Sequence, residues 1–219
     1  MTATLDYRDD IAVLTLGDDE NRFSPEWLEA ISTHLSEIDS TAKGLITVGS
    51  GKFYSNGLDL EWLMSNGDRA EWYVQQVQDL FNRILTYPLP TIAAVNGHTF
   101  GAGAMFAIAH DYRLMREDRG YYCFPEVDIN IPFTPGMAAL IQAKLTPQTA
   151  ITAMTTGHRY SAADALAAGL VDGTASQSEL VAAALGRLTP IAGKDRGTLA
   201  AIKTTMYSSV TAALGQRRN

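Results

Sequence analysis

Two short segments of this 219-residue chain show no alternation of apolar and polar residues: "KGLITVGSG" at 43–51 and "TIAAVNG" at 91–97. A strand with one wet face alternates with period two. An unbroken apolar run that ends in glycine marks a strand buried on both faces, as in a parallel sheet covered by helices. Helical patterns lie between and beyond these runs, and the crossovers are short. The arrangement predicts an α/β layered core with a helical C-terminal part.

The flanking segments fit that plan. "LDYRDDIAVLTLG" predicts two strands joined by a tight turn at Asp9–Asp10. "SPEWLEAISTHLSEID" predicts a helix capped by Ser24, with Pro25 at its first position and Trp27, Leu28, Ile31, Leu35 and Ile38 on one face. Helices follow from about Asp59 to Met64 and over "RAEWYVQQVQDLFNRILTY", the second stopped by Pro88 and Pro90. "DYRLMRED" and "GYYCF" predict a strand pair joined at Asp118–Gly120. "PGMAALIQAKL", "PQTAITAMTTG" and "SAADALAAGL" predict helices, the last capped at Ser161. "GLVDG" predicts a short strand, and two helices are expected to close the chain. Ala182, Ala183, Ala184 and Leu185 are candidates for an oligomer contact on the first of these.

The formal net charge of −7 argues against nucleic acid as a partner, because phosphate binding needs clustered Lys and Arg. The only cysteine, Cys123, excludes an intramolecular disulfide, gives no metal pattern, and reads as a small buried apolar residue. The N-terminus lacks the basic and apolar regions of a signal peptide, and no apolar run approaches the roughly 18 residues of a membrane span. A soluble, cytoplasmic protein with no membrane partner is expected.

Two turns share one design. "SNGLDLEWL" and "FGAGAMFAIA" each bend at small residues after a buried strand and then start a helix. The first N–H groups of a helix have no intrahelical acceptor and carry positive partial charge. Two such ends facing one site would hold one oxygen between two donors, the construction of an oxyanion hole. The competing reading is that glycine only lets helix and strand pack closely, since such motifs are weak taken singly. A dinucleotide loop is poorly supported: "GHTFGAG" lacks the G-x-G-x-x-G spacing and its acidic partner.

Taken together, "FYSNGLDLEWL", "IAAVNGHTFGAGAMFAIAHDYRLMREDRG", "FPEVDINIPF" and "TTGHRYSAADALAAGLVDG" resemble, in order and spacing, the crotonase (enoyl-CoA hydratase/isomerase) superfamily. The likeness runs from about Leu5 to Gly173 and is greatest to Δ3,Δ2-enoyl-CoA isomerases of the plant peroxisomal type. It implies a ClpP/crotonase-like ββα spiral core over 1–173, with 174–219 a helical segment used in oligomerisation, and a homotrimer or hexamer. It implies that the backbone N–H groups of Leu58 and Ala102 form the oxyanion hole for an acyl-CoA thioester. Lys52, Phe53, Ser55 and Gly57 would lie along the coenzyme A moiety, which is part of the substrate; no separate cofactor and no metal is implied.

The family's two catalytic acids sit on the helix after the glycine loop and in a Pro–Glu motif. This chain keeps the second, Pro125–Glu126, and has Met105 at the first. A hydratase uses both carboxylates to handle water. An isomerase needs one base that takes a proton from C2 and returns it to C4, which Glu126 alone can do. Apolar surroundings would raise the Glu126 pKa toward the working pH. The expected function is therefore Δ3,Δ2-enoyl-CoA isomerisation in fatty-acid β-oxidation. The alternatives are hydration or another crotonase reaction with a carboxylate such as Asp128, and a non-catalytic acyl-CoA binder. Trp62 and Met105, with Met64, Trp72 and Phe81, are read as acyl-pocket or plain core residues. Asp59 reads as a helix cap, and His98, His110 and Asp111 as structural.

Overall fold

The computed structural model describes residues 3–38 and 40–216. Met1, Thr2, Asp39 at the end of the first predicted helical segment, and the last three residues of segment 174–219 lie outside them. In chain order the elements are β1 (Thr4–Arg8), β2 (Ile11–Thr15), α1 (Pro25–Glu37), β3 (Gly44–Val48), β4 (Phe53–Ser55), α2 (Leu60–Ser65) and α3 (Ala70–Leu85). There follow β5 (Thr91–Val95), β6 (His98–Phe100), α4 (Ala102–Ala109), β7 (Tyr112–Arg116), β8 (Tyr122–Cys123), α5 (Pro135–Lys144), α6 (Pro147–Thr155) and α7 (Ala162–Ala167). The chain closes through β9 (Gly173–Ala175), α8 (Leu180–Leu188), α9 (Arg196–Met206) and α10 (Ser208–Leu214).

The strands form two sheets, one in the order β1-β2-β3-β5-β7-β9 and one in the order β4-β6-β8. Among the described strands only β1 and β2 pair antiparallel, with Asp9 at φ 52 in the tight turn between them. The units β3-β4-α2/α3, β5-β6-α4 and β7-β8-α5 each give one strand to each sheet and then a helix, which is a ββα spiral.

Side-chain parity in the large sheet explains why both faces are dry. Ile46, Val48, Ile92 and Ala94 pack under α8 with Leu180, Ala184 and Leu188. Leu45, Ala93 and Val95 face the main core with Ile31, Phe81, Ile84 and Phe106. Helix α1 begins as its sequence predicts: Ser24 Oγ accepts the Trp27 N–H at 3.2 Å, and Leu28, Ile31 and Leu35 are buried.

Four details differ from the sequence expectations. The predicted β7–β8 pair is not a pair, because the two strands belong to different sheets. Gly120, at φ +98, presses against Gly97, where a Cβ would stand 2.5 Å from the Gly97 carbonyl carbon, and the chain crosses there to the small sheet. Strand β6 intervenes between β5 and the glycine turn, so each turn follows a strand of the small sheet. The strand sought in "GLVDG" begins at its last residue, Gly173, where hydrogen bonding to β7 starts. Among the described residues three α-helices, not two, follow β9. The first, α8, spends Ala184 on the sheet and leaves Ala182 exposed.

Candidate active site

Two buried asparagines set the small sheet against the large one. Asn21 Nδ2 donates to the Tyr54 carbonyl at 3.0 Å, and Asn96 accepts the Gly49 N–H at 2.8 Å while donating to the Gly51 carbonyl at 3.0 Å. Ser55 Oγ donates to the Asn21 carbonyl at 2.7 Å and accepts the Gly57 N–H at 3.1 Å. These bonds aim the turn that follows β4.

The two glycine turns meet backbone to backbone. Gly57 has φ +81 and Gly101 φ +52, a region that side chains disfavour. A methyl on Gly57 would lie 2.8 Å from the Ala102 nitrogen, and one on Gly103 would lie 2.5 Å from the Ser55 carbonyl oxygen. The close packing that glycine permits sets the mouth of α4 beside the 57–58 turn. In α4 the Met105 N–H donates to the Gly101 carbonyl at 3.0 Å, so the Ala102 N–H precedes any possible intrahelical bond. Among the described residues the Leu58 N–H has no acceptor either. Asp59 caps α2, accepting the Trp62 N–H at 3.0 Å, and its own N–H donates to the Tyr73 hydroxyl at 2.9 Å.

Glu126 lies across the same place. After β8 a compact turn forms, in which the N–H groups of Asp128 and Ile129 donate to the Pro125 carbonyl at 2.9 and 3.1 Å. The Glu126 carbonyl accepts the Ile131 N–H at 3.0 Å. Glu126 is 7 % exposed, and its Oε2 is buried with no partner among the described residues. A methyl on Gly101 would stand 3.3 Å from Oε1, which places the carboxyl over the N-terminus of α4. Loss of hydration raises its pKa to about 7, against a smaller opposing effect of its own backbone N–H.

One cavity of about 450 Å³ joins these groups. Leu58, Ala102 and Glu126 all line it, with apolar walls from Leu60, Phe100, Cys123, Pro125, Ile129 and Ile131. Met64, 80 % exposed, and the exposed Arg22, Glu61 and Arg159 also line it. Sequence reasoning missed most of these. Arg22, Ile129 and Arg159 lie far apart in the chain, and no local pattern connects them. Cys123 is buried, as its composition context suggests; its thiol donates to the Gly157 carbonyl at 3.3 Å, and burial lifts its pKa to about 11.

Other candidates lie elsewhere. Met105 is 1 % exposed in the main core and does not line the cavity. Trp62 is half-buried against Trp72 and Tyr73, ring centroids 6.2 and 5.0 Å away, and is also absent from the wall. Phe81 is core, and Trp72 lines a groove beside α1. Lys52 is exposed, its Nζ 5.3 Å from the Phe53 ring centre; Phe53 in turn packs on His98 at 5.4 Å. The Ser55 side chain is fully buried and spent on backbone bonds, so only its main chain can meet a ligand. Asp128 is exposed, its carboxylate lying against Gly157, away from the cavity lining.

His110 is structural. Its Nδ1 lies 2.9 Å from the Phe106 carbonyl, which can only accept, so that nitrogen carries the proton. Nε2 then accepts from the Thr47 hydroxyl at 2.9 Å, and Thr47 accepts from Tyr54 at 2.8 Å. Burial drives the imidazole pKa down to about 3, so it stays neutral. Asp111 pairs with the buried Lys203 at 2.6 Å. Among the described residues no three His, Cys, Asp or Glu side chains gather as metal ligands would, and no helix is long and apolar enough to cross a membrane.

The sequence matches the family described as enoyl-CoA hydratase/isomerase over residues 6–219. It is 40 % identical over 184 positions to enoyl-CoA delta isomerase 3 of Arabidopsis thaliana, covering 80 % of this chain and 77 % of that one. It is 35 % identical over 227 positions to enoyl-CoA delta isomerase 2, peroxisomal, of the same plant, covering 97 % and 95 %. The crystal structure of human mitochondrial delta3-delta2-enoyl-CoA isomerase superposes with a TM-score of 0.89 over 97 % of this chain and 85 % of that one; at 22 % identity this shows a shared fold alone.

Proposed function

This chain belongs to the enoyl-CoA hydratase/isomerase family, and on that footing we propose that it is a Δ3,Δ2-enoyl-CoA isomerase with Glu126 as its only acid–base group. The observation that carries the reading is one cavity that holds a buried carboxyl of pKa about 7 beside two free backbone donors. The thioester oxygen sits between the Leu58 and Ala102 N–H groups. Glu126 removes a proton from C2 of a 3-enoyl-CoA, and the electron pair moves into the carbonyl as a dienolate. The two N–H groups hold the developing charge. The protonated Glu126 then delivers the same proton to C4, leaving the double bond between C2 and C3. A base that must also return its proton works best with a pKa near the operating pH.

In this proposal coenzyme A enters only as part of the substrate and runs past Lys52, Phe53 and the backbone of Ser55 and Gly57, while Trp62 and Met105 back the acyl side from behind the cavity wall. The enzyme serves fatty-acid β-oxidation in the cytoplasm as a homotrimer or hexamer, assembled around a 1–173 core through segment 174–219. Ile202 and Met206, one turn apart on α9 and 50 % and 65 % exposed, supply apolar surface for such a contact.

The test supplies a 3-enoyl-CoA and, separately, a 2-enoyl-CoA. Double-bond migration without hydration is expected, and Glu126→Gln abolishes turnover while acyl-CoA still binds. Hydration without migration would overturn the isomerase reading. A second carboxylate, Glu61, also lines the cavity and is the group a two-acid hydratase would need here. Glu61→Gln is expected to leave migration within about threefold of wild type, as for a surface charge outside the chemistry. Binding with no turnover on either substrate would leave an acyl-CoA binder.

A further inference from the structure

The cavity that holds Glu126, the reaction compartment of the proposed isomerisation, has a second group able to form a bond to carbon. Cys123 lies on its wall beside Phe100, Pro125 and Glu126. It is the only cysteine in the chain, and the isomerisation makes no use of it.

The backbone fixes where Cys123 stands. On β8 it pairs with Phe100 of β6, and its carbonyl accepts the Gly101 N–H at 3.1 Å. Gly101 is the residue beneath the Glu126 carboxyl, and the next N–H along the chain is that of Ala102. The charge of Glu126 is felt at the thiol. A separate observation points to a ligand in this space. Glu126 is 7 % exposed, yet its buried Oε2 has no partner among the described residues. A buried polar atom left in that state marks a place where another group docks.

The thiol is shielded from solvent. Cys123 is 1 % exposed, and its S–H donates to the Gly157 carbonyl at 3.3 Å. Burial outweighs the nearby Arg159 cation and lifts its pKa to about 11. Little thiolate forms at neutral pH, so the group is inert toward ordinary thiol reagents. Reaction needs a base beside the thiol and an electrophile held against it. The bond to Gly157 is weak, because S–H is a poor donor, and rotation about Cα–Cβ swings the sulfur away from it.

The proposed product is such an electrophile. A 2-enoyl-CoA is an α,β-unsaturated thioester, electron-poor at C3. We propose that Cys123 is a covalent acceptor site for α,β-unsaturated acyl thioesters, with Glu126 as the proton carrier. The thioester oxygen lies between the Leu58 and Ala102 N–H groups, and the Glu126 carboxylate takes the thiol proton. The sulfur bonds to C3, the C2–C3 π pair moves into the carbonyl as an enolate, and Glu126 returns the proton to C2. One S–H bond and one π bond break, one S–C3 and one C2–H bond form, and nothing leaves. The thiol stands where a hydratase places water, and it gives up a proton far more readily than water does. The resulting thioether fills the cavity and stops turnover. This site rests on the reading of the Glu126 cavity as an acyl-CoA site.

Intact-protein mass spectrometry after incubation with saturating trans-2-decenoyl-CoA tests it. The wild type should gain the full mass of one acyl-CoA, and Cys123→Ala should gain nothing. Glu126→Gln keeps the thiol and should form the adduct at least roughly a hundredfold more slowly, the usual worth of a positioned acid–base group. Saturated decanoyl-CoA should add no mass and should compete with adduct formation. Its calorimetric binding to each variant separates a lost thiol from a lost fold. No adduct on the wild type, or the same adduct on Cys123→Ala, overturns the site. An unchanged rate in Glu126→Gln overturns the role of the carboxylate in it.

Because 2-decenoyl-CoA is supplied directly, no double bond has to migrate. The adduct would form even in a chain that isomerises nothing. Isomerisation without any adduct overturns the Cys123 site alone and leaves the isomerase reading standing.

Discussion

Gly101 lies directly beneath the Glu126 carboxyl: a methyl added at residue 101 would stand 3.3 Å from Oε1. The same glycine has φ +52, and its carbonyl accepts the first intrahelical N–H of α4. One residue therefore sets the direction of the Ala102 N–H and leaves room for the carboxyl above it.

Gly101→Ala disturbs both at once. Its backbone, at φ 52 and ψ −121, lies in a region nearly restricted to glycine and costs about 1–3 kcal/mol with a side chain present, and the carboxyl must move aside. The expected result is a kcat lower by roughly a hundredfold with acyl-CoA binding retained, as happens when a reacting group is displaced by about an ångström. A variant with wild-type kcat and a few degrees lost in Tm would show that the carboxyl position over α4 does not matter for the chemistry.

The raised Glu126 pKa sets the pH profile. In the proposed reaction only the carboxylate can take the C2 proton, and half of it is ionised near pH 7. The kcat/KM of isomerisation should rise with pH up to about 7 and then level, falling roughly tenfold per unit well below that value. A profile flat from about pH 5.5 to 8 would mean that the base is another group or that Glu126 ionises at its ordinary pKa.

Stability carries the same signature with a definite sign. Folded Glu126 holds its proton up to about pH 7, whereas the unfolded chain releases it near 4.5. The contribution of the protonated group to stability is complete below 4.5 and is lost as pH rises through 7. Above 7 the fold carries a buried carboxylate, and Glu126→Gln removes that cost. The variant should gain on wild type by on the order of 3 kcal/mol between about pH 4.5 and 7. Urea midpoints at both ends of that window check it, and a difference that does not grow with pH would contradict the burial argument.

How far the sequence reveals all this depends on the range of the signal. Strands β3 and β5 are legible because every residue is buried, and α1 because Ser24 and Pro25 mark its start. Glu126, Leu58 and Ala102 enter as candidates through a family resemblance that short local motifs carry. Strand β6, three residues long, is too short for any periodicity to report, and "GYYCF" predicts the strand β8 without telling which sheet takes it. The small sheet is held in part by Asn21 and Asn96, which reach residues more than thirty positions away. The cavity wall likewise gathers Arg22, Ile129 and Arg159 from separate loops. The orientation of Met105 was beyond reach for another reason: α4 is buried on every side, so no polar face tells which residue points where.

Met105 therefore bears on the chemistry through what it excludes. It is enclosed by the main core rather than by the cavity, so it acts as a packing residue that keeps α4 dry. Met105→Leu conserves volume and shape, and should cost under about 1.5 kcal/mol while leaving isomerisation within about threefold. Met105→Glu places an unpaired carboxyl in the core. It should lower stability by several kcal/mol, or fold only with that group protonated, and in neither case supply a general base for water. Thermal unfolding and the appearance of 3-hydroxyacyl-CoA from a 2-enoyl-CoA measure the two effects. A Met105→Glu protein with wild-type stability and new hydratase activity would mean that residue 105 opens onto the reaction compartment after all, and that a single substitution on α4 separates isomerase from hydratase chemistry.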